Sequence, residues 1–326
     1  MAKLGIICCI YNDVQYIDSL SRSCHGISQD DLNIYFVNDH STCALEKYFN
    51  DLCLKDKRFH YLESTSNYFG SGGARNFALD QIDDDFVSFI DADDFVGPKY
   101  HETLINLAER FSLDCVKTGW TIVSNDKRTP SQLEENIPQN QVLPGVDFFS
   151  PYNKSNLFDR PHSWAGVYRK SFLDQHRIRF SNLFSAEDRV FWLKCLFFAN
   201  RVMAVPITSG YFYRKENSES RLTSTGNKIQ NDFFKAAIEM ISFSKGNVTD
   251  KNIWRKIIIQ IIALTDFHFK NRDRLSEVAL FDLYIKASGL MKELKECPEY
   301  NFIYDKISPS RKDLINALES EDFIYE

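Results

Sequence analysis

The sequence lacks any apolar run long enough to cross a membrane. Its longest, residues 257–264, is interrupted by Gln260 and falls far short of the ~20 residues that a spanning helix needs. A strand-like run follows Lys3 near the N-terminus, where a secretory signal peptide would carry a longer apolar segment. We therefore expect a cytoplasmic protein.

Cysteine motifs, positive net charge and low-complexity segments are missing as well. None of the eight cysteines forms a C-x-x-C pair or a cysteine–histidine quartet, so a structural zinc site is not supported. The formal net charge of −6 argues against nucleic acid as a partner. With 13 glycines, 9 prolines and 44% hydrophobic residues, the chain has the composition of a globular protein rather than of a disordered or fibrous one.

The first third of the sequence alternates between strand-like and helix-like segments. We predict strands at 4–10, 32–37, 59–62, 86–90 and around 116–124, and helices at 14–24, 45–54, 74–81, 99–112, 167–176 and 190–200. This alternation predicts an α/β fold with a three-layer, mostly parallel, Rossmann-like sheet, whose ligands bind at the carboxyl ends of the strands. Residues 125–160 are polar and contain four prolines, so we expect loops there, on the side of the site that would receive an acceptor substrate. A domain boundary near residue 225 is expected to separate residues 1–225 from a helical region, 226–326.

Three carboxylates, Asp91, Asp93 and Asp94, directly follow the strand predicted at 86–90. Carboxylates so close together repel one another unless a cation neutralises them. Mn²⁺ or Mg²⁺ bound with a nucleotide diphosphate would do so, because these ions prefer carboxylate and phosphate oxygens. The alternative is an ordinary solvated acidic turn.

A glycine-rich turn at 67–76 leads into the helix predicted at 74–81. Backbone amides of such a turn can approach a ligand, and the helix N-terminus favours anions. Arg75 could add a charged contact to a diphosphate. The turn lacks the Gly-Lys-Ser/Thr ending of a Walker A loop. Asp39, after the second predicted strand, could accept the N–H of a uracil ring, or else cap a turn.

Two further polar clusters lie later in the chain. Glu187 and Asp188 precede an apolar helix, where one of them could be a general base for an acceptor hydroxyl, or both could cap the helix. Arg160, His162 and Trp164 bring a cation, an imidazole and an indole into one short stretch, which could line an acceptor pocket with Trp164 stacked on a sugar. A structural role is the alternative for His162.

Five segments, in this order, resemble the motifs of glycosyltransferase family 2: residues 9–12, 37–41, 67–76, 91–94 and 186–188. The resemblance extends over roughly residues 3–215 and is greatest to bacterial enzymes that make cell-surface polymers, including wall teichoic acid and capsule. It implies a GT-A fold and an inverting, single-displacement transfer. The sugar would pass from a UDP-sugar to a hydroxyl of a glycan, lipid-linked or polymer acceptor. Residues 210–214 also resemble a late loop of the family.

The resemblance implies roles for individual residues as well. Asp188 would be the catalytic base, and Asp93, assisted by Asp94, would hold Mn²⁺ or Mg²⁺. The donor would be bound by Ile10, Tyr11, Asp39, Asn67, Gly73, Arg75, Asp91 and Ala92. Candidates for the acceptor side are Arg160, His162, Trp164 and Glu187. Many family members have Pro-Thr where this chain has Cys9 and Ile10, so a threonine contact to the base is lost here.

Two other functions and three further contacts stay open. A nucleotidyltransferase would carry a basic glycine-rich loop at the place of residues 11–13, and a glycan-binding scaffold would not need the complete set of acids. Six basic residues against two acidic ones between 251 and 274 could hold a phosphate-rich acceptor or the anionic inner face of a membrane, or form a solvated helix face. The stripe of Ile253, Ile257 and Ile261 could pack in a homo-oligomer interface.

Overall fold

The computed structural model describes residues 2–12, 14–25, 32–42, 45–65, 67, 70–125, 127–150, 156–215 and 232–320. Within these ranges, no helix is both long and apolar enough to span a membrane. The domain boundary expected near residue 225 lies outside the described residues.

The strands and helices largely follow the alternation predicted from the sequence. The strands are β1 (Leu4–Ile10), β2 (Leu32–Asn38), β3 (Phe59–Glu63), β4 (Phe86–Asp91), β5 (Phe95–Val96), β6 (Cys115–Thr118), β7 (Trp120–Ser124), β8 (Lys127–Ser131), β9 (Val142–Leu143), β10 (Gly166–Arg169), β11 (Val202–Val205) and β12 (Tyr211–Arg214). The helices are α1 (Val14–His25), α2 (Glu46–Lys55), α3 (Ser71–Gln81), α4 (Tyr100–Arg110), α5 (Lys170–Gln175), α6 (Glu187–Phe198), α7 (Asp232–Asn247), α8 (Lys251–Lys270), α9 (Glu277–Lys295), α10 (Tyr300–Tyr304) and α11 (Pro309–Ser320).

In the part of the chain that the structure describes, eight strands form the larger sheet, in the order β3-β2-β1-β4-β10-β6-β11-β9. Most neighbours are parallel, while β10 and β9 run antiparallel to the strands beside them. A smaller sheet has the order β5-β12-β7-β8. The predicted α/β fold, with a mostly parallel sheet and a helical C-terminal region, is confirmed. Because parallel strands end at the same edge, the polar residues after β1, β2 and β4 meet there.

Two predicted elements differ from the observed ones. The strand predicted around 116–124 is two strands, β6 and β7, in different sheets. They separate at Gly119, where a Cβ atom would lie 2.5 Å from the Ser131 carbonyl oxygen, so the close backbone approach requires glycine. The helix predicted at 167–176 is wrong in its first residues, since Gly166–Arg169 forms β10 between β4 and β6 and α5 follows it. Pairing on both sides overrides the local helical pattern.

Two boundaries also shift. The described parts of residues 125–160, expected to be loops, contain β8, β9 and the 3-10 helices Gly145–Phe148 and Leu157–Asp159. Helix α6 begins at Glu187, three residues before the predicted start at 190, so Glu187 and Asp188 lie in its first turn.

Helix α8 joins the core through the stripe of Ile253, Ile257 and Ile261. Each of these side chains is at most 6% exposed. Helices α7, α10 and α11 of the same chain pack against α8. The expectation that this stripe faces a second copy of the chain is therefore wrong, because the chain itself covers it.

The basic residues between 251 and 274 are largely paired with acids. Four ion pairs are Lys251–Glu299 (3.9 Å), Arg255–Glu299 (2.7 Å), Lys256–Asp159 (2.6 Å) and Lys270–Asp266 (2.9 Å). Lys256 is 3% exposed, so its ammonium group lies inside the protein. Folding brings two further acids, Glu299 and Asp159, to this run and so reduces its excess of positive charge from four to two. The paired side chains give no support to a phosphate-rich acceptor or a membrane surface at this place.

Candidate active site

The carboxyl ends of β1 and β2 are tied together by hydrogen bonds. The Asp39 N–H donates to the Ile10 carbonyl oxygen (2.8 Å), and the Asn12 N–H donates to Ser41 Oγ (3.0 Å). The Ile10 side chain is buried, whereas Tyr11 is 52% exposed. Both residues were predicted to bind the donor. The Tyr11 ring is at the surface, whereas Ile10 has a buried side chain and a backbone carbonyl that accepts the Asp39 N–H.

Asp39 connects this edge of the sheet to the glycine-rich turn. Its Oδ2 accepts the Gly70 N–H (2.8 Å), and its Oδ1 lies 3.3 Å from His40 Nδ1. Gly70 has a φ of +101°, a conformation that favours glycine, and it precedes α3. Asn67 is exposed nearby in the chain, and Gly73 is buried in the first turn of α3. Folding therefore brings the end of β2 to the N-terminus of α3.

Arg75 lies at the centre of three carboxylates from distant parts of the chain. Its guanidinium donates to Asp91 Oδ1 (2.8 Å), to Glu187 Oε1 (3.1 Å) and to Asp188 Oδ1 (3.3 Å). Arg75 is 3% exposed, and its charge also lies 5.1 Å from the centre of the Phe180 ring. We predicted a direct contact from Arg75 to the diphosphate, but the side chain is directed at the acids instead. Three carboxylates that converge on one partly buried place need a cation between them, which Arg75 supplies.

Helix α6 presents the two acids of its first turn differently. Ala186, just before the helix, has a φ of +64°, the left-handed conformation that non-glycine residues rarely adopt. Glu187 turns inward, where it also accepts a hydrogen bond from Ser71 Oγ (2.9 Å). Asp188 Oδ2 accepts the Ser163 N–H (3.2 Å), and its side chain is 18% exposed against 10% for Glu187. Glu187 thus links α6 to α3, and Asp188 is the more accessible acid.

The turn after β4 carries the remaining two aspartates, Asp93 and Asp94. Asp94 is 1% exposed, and its carboxylate accepts from the Tyr211 hydroxyl (2.7 Å) and from the Arg214 N–H (2.8 Å). Arg214 Nε also donates to the Asp93 carbonyl oxygen (2.9 Å), and Ala92 is 5% exposed. The expectation that Asp94 assists in metal binding therefore does not fit, because its carboxylate is enclosed by the protein and directed at β12. Over the described residues, no cluster of three or more histidine, cysteine, aspartate or glutamate side chains is arranged to hold a metal.

Burial shifts the acids of this cluster toward their protonated forms. It raises the pKa of Asp91 to about 6 and that of Glu187 to about 7, in both cases against the opposing effect of Arg75. The pKa of Asp94 is raised well above its ordinary value by burial, with Asp91 and Asp93 adding to the shift. Ionising these acids therefore costs more free energy than it would in water. A further cation beside Asp93 would lower this free energy by attracting their negative charge.

The residues predicted to contact the acceptor are mostly packed against other side chains. Arg160 lies 2.6 Å from Glu134. Trp164 is 6% exposed, and three rings lie nearly parallel to it with centres 4.4 to 5.7 Å away: Tyr211, His162 and Tyr213. Burial lowers the pKa of His162 to about 4, so it is neutral at pH 7. Stacking of a sugar on Trp164 does not fit this packing.

Several residues that shape the site were not singled out in the sequence. The Ser71 hydroxyl donates to Glu187, the Ser163 N–H donates to Asp188, and the Lys117 ammonium group donates to a backbone carbonyl. No local pattern in the sequence reveals these contacts. Tyr211 and Arg214 lie in the segment 210–214, whose resemblance to a late family loop was the available signal.

A sequence profile described as "Glycosyl transferase family 2" matches residues 5–175, more than half of the chain. The chain belongs to glycosyltransferase family 2. This family 2 glycosyltransferase is 25% identical over 253 residues to EpsH of Bacillus subtilis, a match that covers 76% of this chain and 70% of EpsH. It is 27% identical over 226 residues to the poly(ribitol-phosphate) β-N-acetylglucosaminyltransferase TarS of Staphylococcus aureus, which covers 67% of this chain and 37% of TarS.

Solved structures of two other transferases share the fold. The crystal structure of S. aureus TarS 1-349 in complex with UDP-GlcNAc matches with a TM-score of 0.76 at 20% identity, covering 98% of this chain and 88% of that chain. Mannosyltransferase PcManGT from Pyrobaculum calidifontis, in complex with GDP-Man and Mn²⁺, matches with a TM-score of 0.52 at 13% identity, covering 99% and 87%. These likenesses confirm the GT-A fold of this family 2 glycosyltransferase, while the roles of its individual residues stay predictions.

Proposed function

We propose that this enzyme transfers a sugar from a UDP-sugar to a hydroxyl of a cell-surface polymer or its glycan precursor, with inversion. The observation that carries the proposal is the convergence of Asp91, Glu187 and Asp188 on Arg75 at the carboxyl edge of the sheet. The UDP-GlcNAc bound by TarS, and the polymer named in its description, support the donor and acceptor classes.

The donor nucleotide would lie across the ends of β1 and β2. Tyr11 is exposed there and would pack against the base, and Asp39 would accept its N–H with a lone pair that Gly70 leaves unused. The N-terminus of α3 lies next to Asp39, and its backbone amides would face the diphosphate, with Asn67 beside them.

A divalent metal fits this site through Asp93. The described residues hold no cage made of protein acids alone. Mn²⁺ or Mg²⁺ typically uses one or two carboxylates and completes its shell with phosphate oxygens and water. When bound, the ion would offset the charge that develops on the leaving diphosphate. Asp94 would act through its hydrogen bonds to Tyr211 and Arg214, which fix the backbone that carries Asp93.

Asp188 would be the general base. Its carboxylate is partly exposed and is oriented by one donor on each oxygen, Arg75 on Oδ1 and the Ser163 N–H on Oδ2. Each oxygen keeps a lone pair for the proton of an acceptor hydroxyl. Removal of that proton as the hydroxyl attacks the sugar carbon, on the face opposite the diphosphate, gives inversion in a single displacement.

The first experiment measures binding and nucleotide release from a panel of UDP-, GDP-, CMP- and dTDP-sugars, with Mn²⁺ and with a chelator. Wild type is compared with Asp93→Ala and with Asp147→Ala, a control at an exposed acid in the 3-10 helix Gly145–Phe148. We expect metal-dependent turnover of a UDP-sugar that is lost in Asp93→Ala and kept in the control. An absence of binding to every nucleotide sugar would overturn the proposal.

A further inference from the structure

Strand β6 carries a buried lysine next to the candidate base. Lys117 is 1% exposed, its Nζ lies 4.7 Å from the centre of the Trp192 ring, and it donates a hydrogen bond to the His162 carbonyl oxygen. A buried ammonium group is costly unless it is well paired. An apolar side chain would fill the same space at lower cost, so packing alone does not account for a lysine here.

The peptide group that Lys117 contacts is the one that holds Asp188. The carbonyl of His162 and the N–H of Ser163 belong to a single peptide plane, and that N–H donates to Asp188 Oδ2 at 3.2 Å. A cation on the carbonyl oxygen polarises the peptide and strengthens the hydrogen bond that its N–H donates. One rigid planar unit therefore connects the lysine to the carboxylate.

The same turn is held on its other sides by neutral hydrogen bonds. The Ala165 N–H donates to the His162 carbonyl oxygen (3.3 Å), and the Tyr168 hydroxyl donates to the Ser163 carbonyl oxygen (2.9 Å). These contacts fix the turn without any charge. What Lys117 adds is thus a positive charge at the carbonyl end of the peptide whose N–H end faces Asp188.

Lys117 is charged at neutral pH. Burial lowers its pKa to about 8, while the Asp188 carboxylate raises it. The other ionisable groups that face Lys117 are Cys115, Cys195, Arg160 and His162. Burial keeps His162 neutral, with a pKa lowered to about 4, and raises the pKa of Cys115 well above its ordinary value. Asp188 is therefore the anion with which the Lys117 charge interacts.

We propose that Lys117 is a positioning residue for the catalytic base: its ammonium group orients and polarises the 162–163 peptide, whose N–H holds the Asp188 carboxylate in place. This inference deepens the proposed function and rests on it. Lys117 itself does not touch the substrate.

The test replaces Lys117 by Met, an unbranched side chain one heavy atom shorter, which removes the charge and the N–H donors. UDP release from UDP-GlcNAc with Mn²⁺, or from the UDP-sugar that the donor panel selects, is measured together with UDP affinity and the melting temperature. We expect kcat to fall roughly tenfold, equivalent to ~1.4 kcal/mol, with the KM for the donor and the affinity for UDP unchanged. The matched control is Thr118→Val, which removes a buried hydrogen bond to Tyr100 on the opposite face of β6 and should leave kcat unchanged.

The dependence of kcat on pH separates a charge effect from a packing effect. Wild-type kcat should fall as pH rises through about 8, where Lys117 loses its proton, and Lys117→Met should lack this fall. Should Lys117→Met not yield folded protein, Lys117→Gln, which keeps an N–H donor without the charge, carries the same test.

The outcomes distinguish this inference from the proposed function. No turnover of any donor by wild type would overturn both. Active wild type, inactive Asp188→Asn and a Lys117→Met variant with unchanged kcat and pH profile would overturn the role of Lys117 alone. A loss of kcat accompanied by an equal loss of UDP affinity would also overturn it, because that pattern indicates general damage to the site.

Discussion

At the scale of single residues, the site depends on one guanidinium shared by three acids. Arg75 is buried, and each of Asp91, Glu187 and Asp188 lies within 3.3 Å of it. A buried charge is tolerated when opposite charges and hydrogen bonds satisfy it, and the three acids do so here. The acids nonetheless differ in access: the Asp91 side chain is 34% exposed and accepts the shortest Arg75 contact, Asp188 is 18% exposed, and Glu187 is 10% exposed and tied to Ser71.

Asp188→Asn tests the role of the more accessible of the two acids on α6. The amide keeps the shape of the side chain but cannot take a proton at neutral pH, so kcat should fall by about 10²- to 10⁴-fold, the usual contribution of a general base. UDP affinity should stay the same, because Asp188 is assigned to the acceptor side. Steady-state kinetics and calorimetric UDP binding measure the two quantities. Asp174→Asn, at an acid paired with Lys170 and Arg179, serves as the control, and equal losses in both variants would refute the assignment.

At the scale of elements, the C-terminal helices are joined to the catalytic region by a charged contact as well as by apolar packing. Lys256 of α8 reaches Asp159, which ends the 3-10 helix Leu157–Asp159, and Gln260 Nε2 donates to the same carboxylate (3.1 Å). That short helix immediately precedes the segment that holds Asp188 through Ser163. Helix α8 is therefore linked to the candidate base through Asp159 and the short segment from there to Ser163.

Lys256→Met should destabilise the protein by about 2 kcal/mol, since it leaves a partly buried carboxylate without its cation. Its matched control is Lys251→Met, in the first turn of the same helix, where the side chain is 76% exposed and lies 3.9 Å from Glu299. A solvated pair of this kind contributes less than about 1 kcal/mol. Urea unfolding of the two variants measures the difference. Equal midpoints would show that the Lys256–Asp159 pair does not stabilise the docking of α8.

At the scale of the whole molecule, the buried acids make the free energy of unfolding depend on pH. Glu187 has a pKa raised from 4.5 to about 7 by burial. A group whose pKa is higher in the folded state stabilises that state below its unfolded pKa, and this stabilisation is lost as pH rises through the folded pKa. The wild-type protein should therefore lose part of its stability between about pH 4.5 and pH 7.

Glu187→Gln removes this titration while keeping the hydrogen-bonding shape of the side chain. Relative to the variant, the wild-type free energy of unfolding should decline by on the order of 2 kcal/mol as pH rises across that interval. Urea unfolding at pH 5, 6, 7 and 8 for both proteins provides the measurement. Parallel curves would contradict the raised pKa of Glu187.

Local patterns along the chain were sufficient to predict the fold class and the segments that reach the site. Strands buried on both faces are near-continuous apolar runs, so β1, β2 and β4 could be predicted from them. The residues singled out at their carboxyl ends were Tyr11, Asp39 and Asp91. The order of the motifs also indicated family 2, which the profile confirms. Apolar runs and motifs each consist of neighbouring residues in the chain, so a single sequence is enough to recognise them.

The contacts that those residues make could be seen only in the folded chain. Arg75 faces acids rather than solvent, Asp94 is directed at β12, and Trp164 is enclosed by rings, because partners 16 to 117 positions away in the chain arrive only on folding. The strand β10 is set by pairing on both sides and not by its own pattern. Charge balance is likewise a property of the folded chain: Lys256 meets Asp159, and Lys117 meets the peptide of Ser163, only when distant segments are packed together.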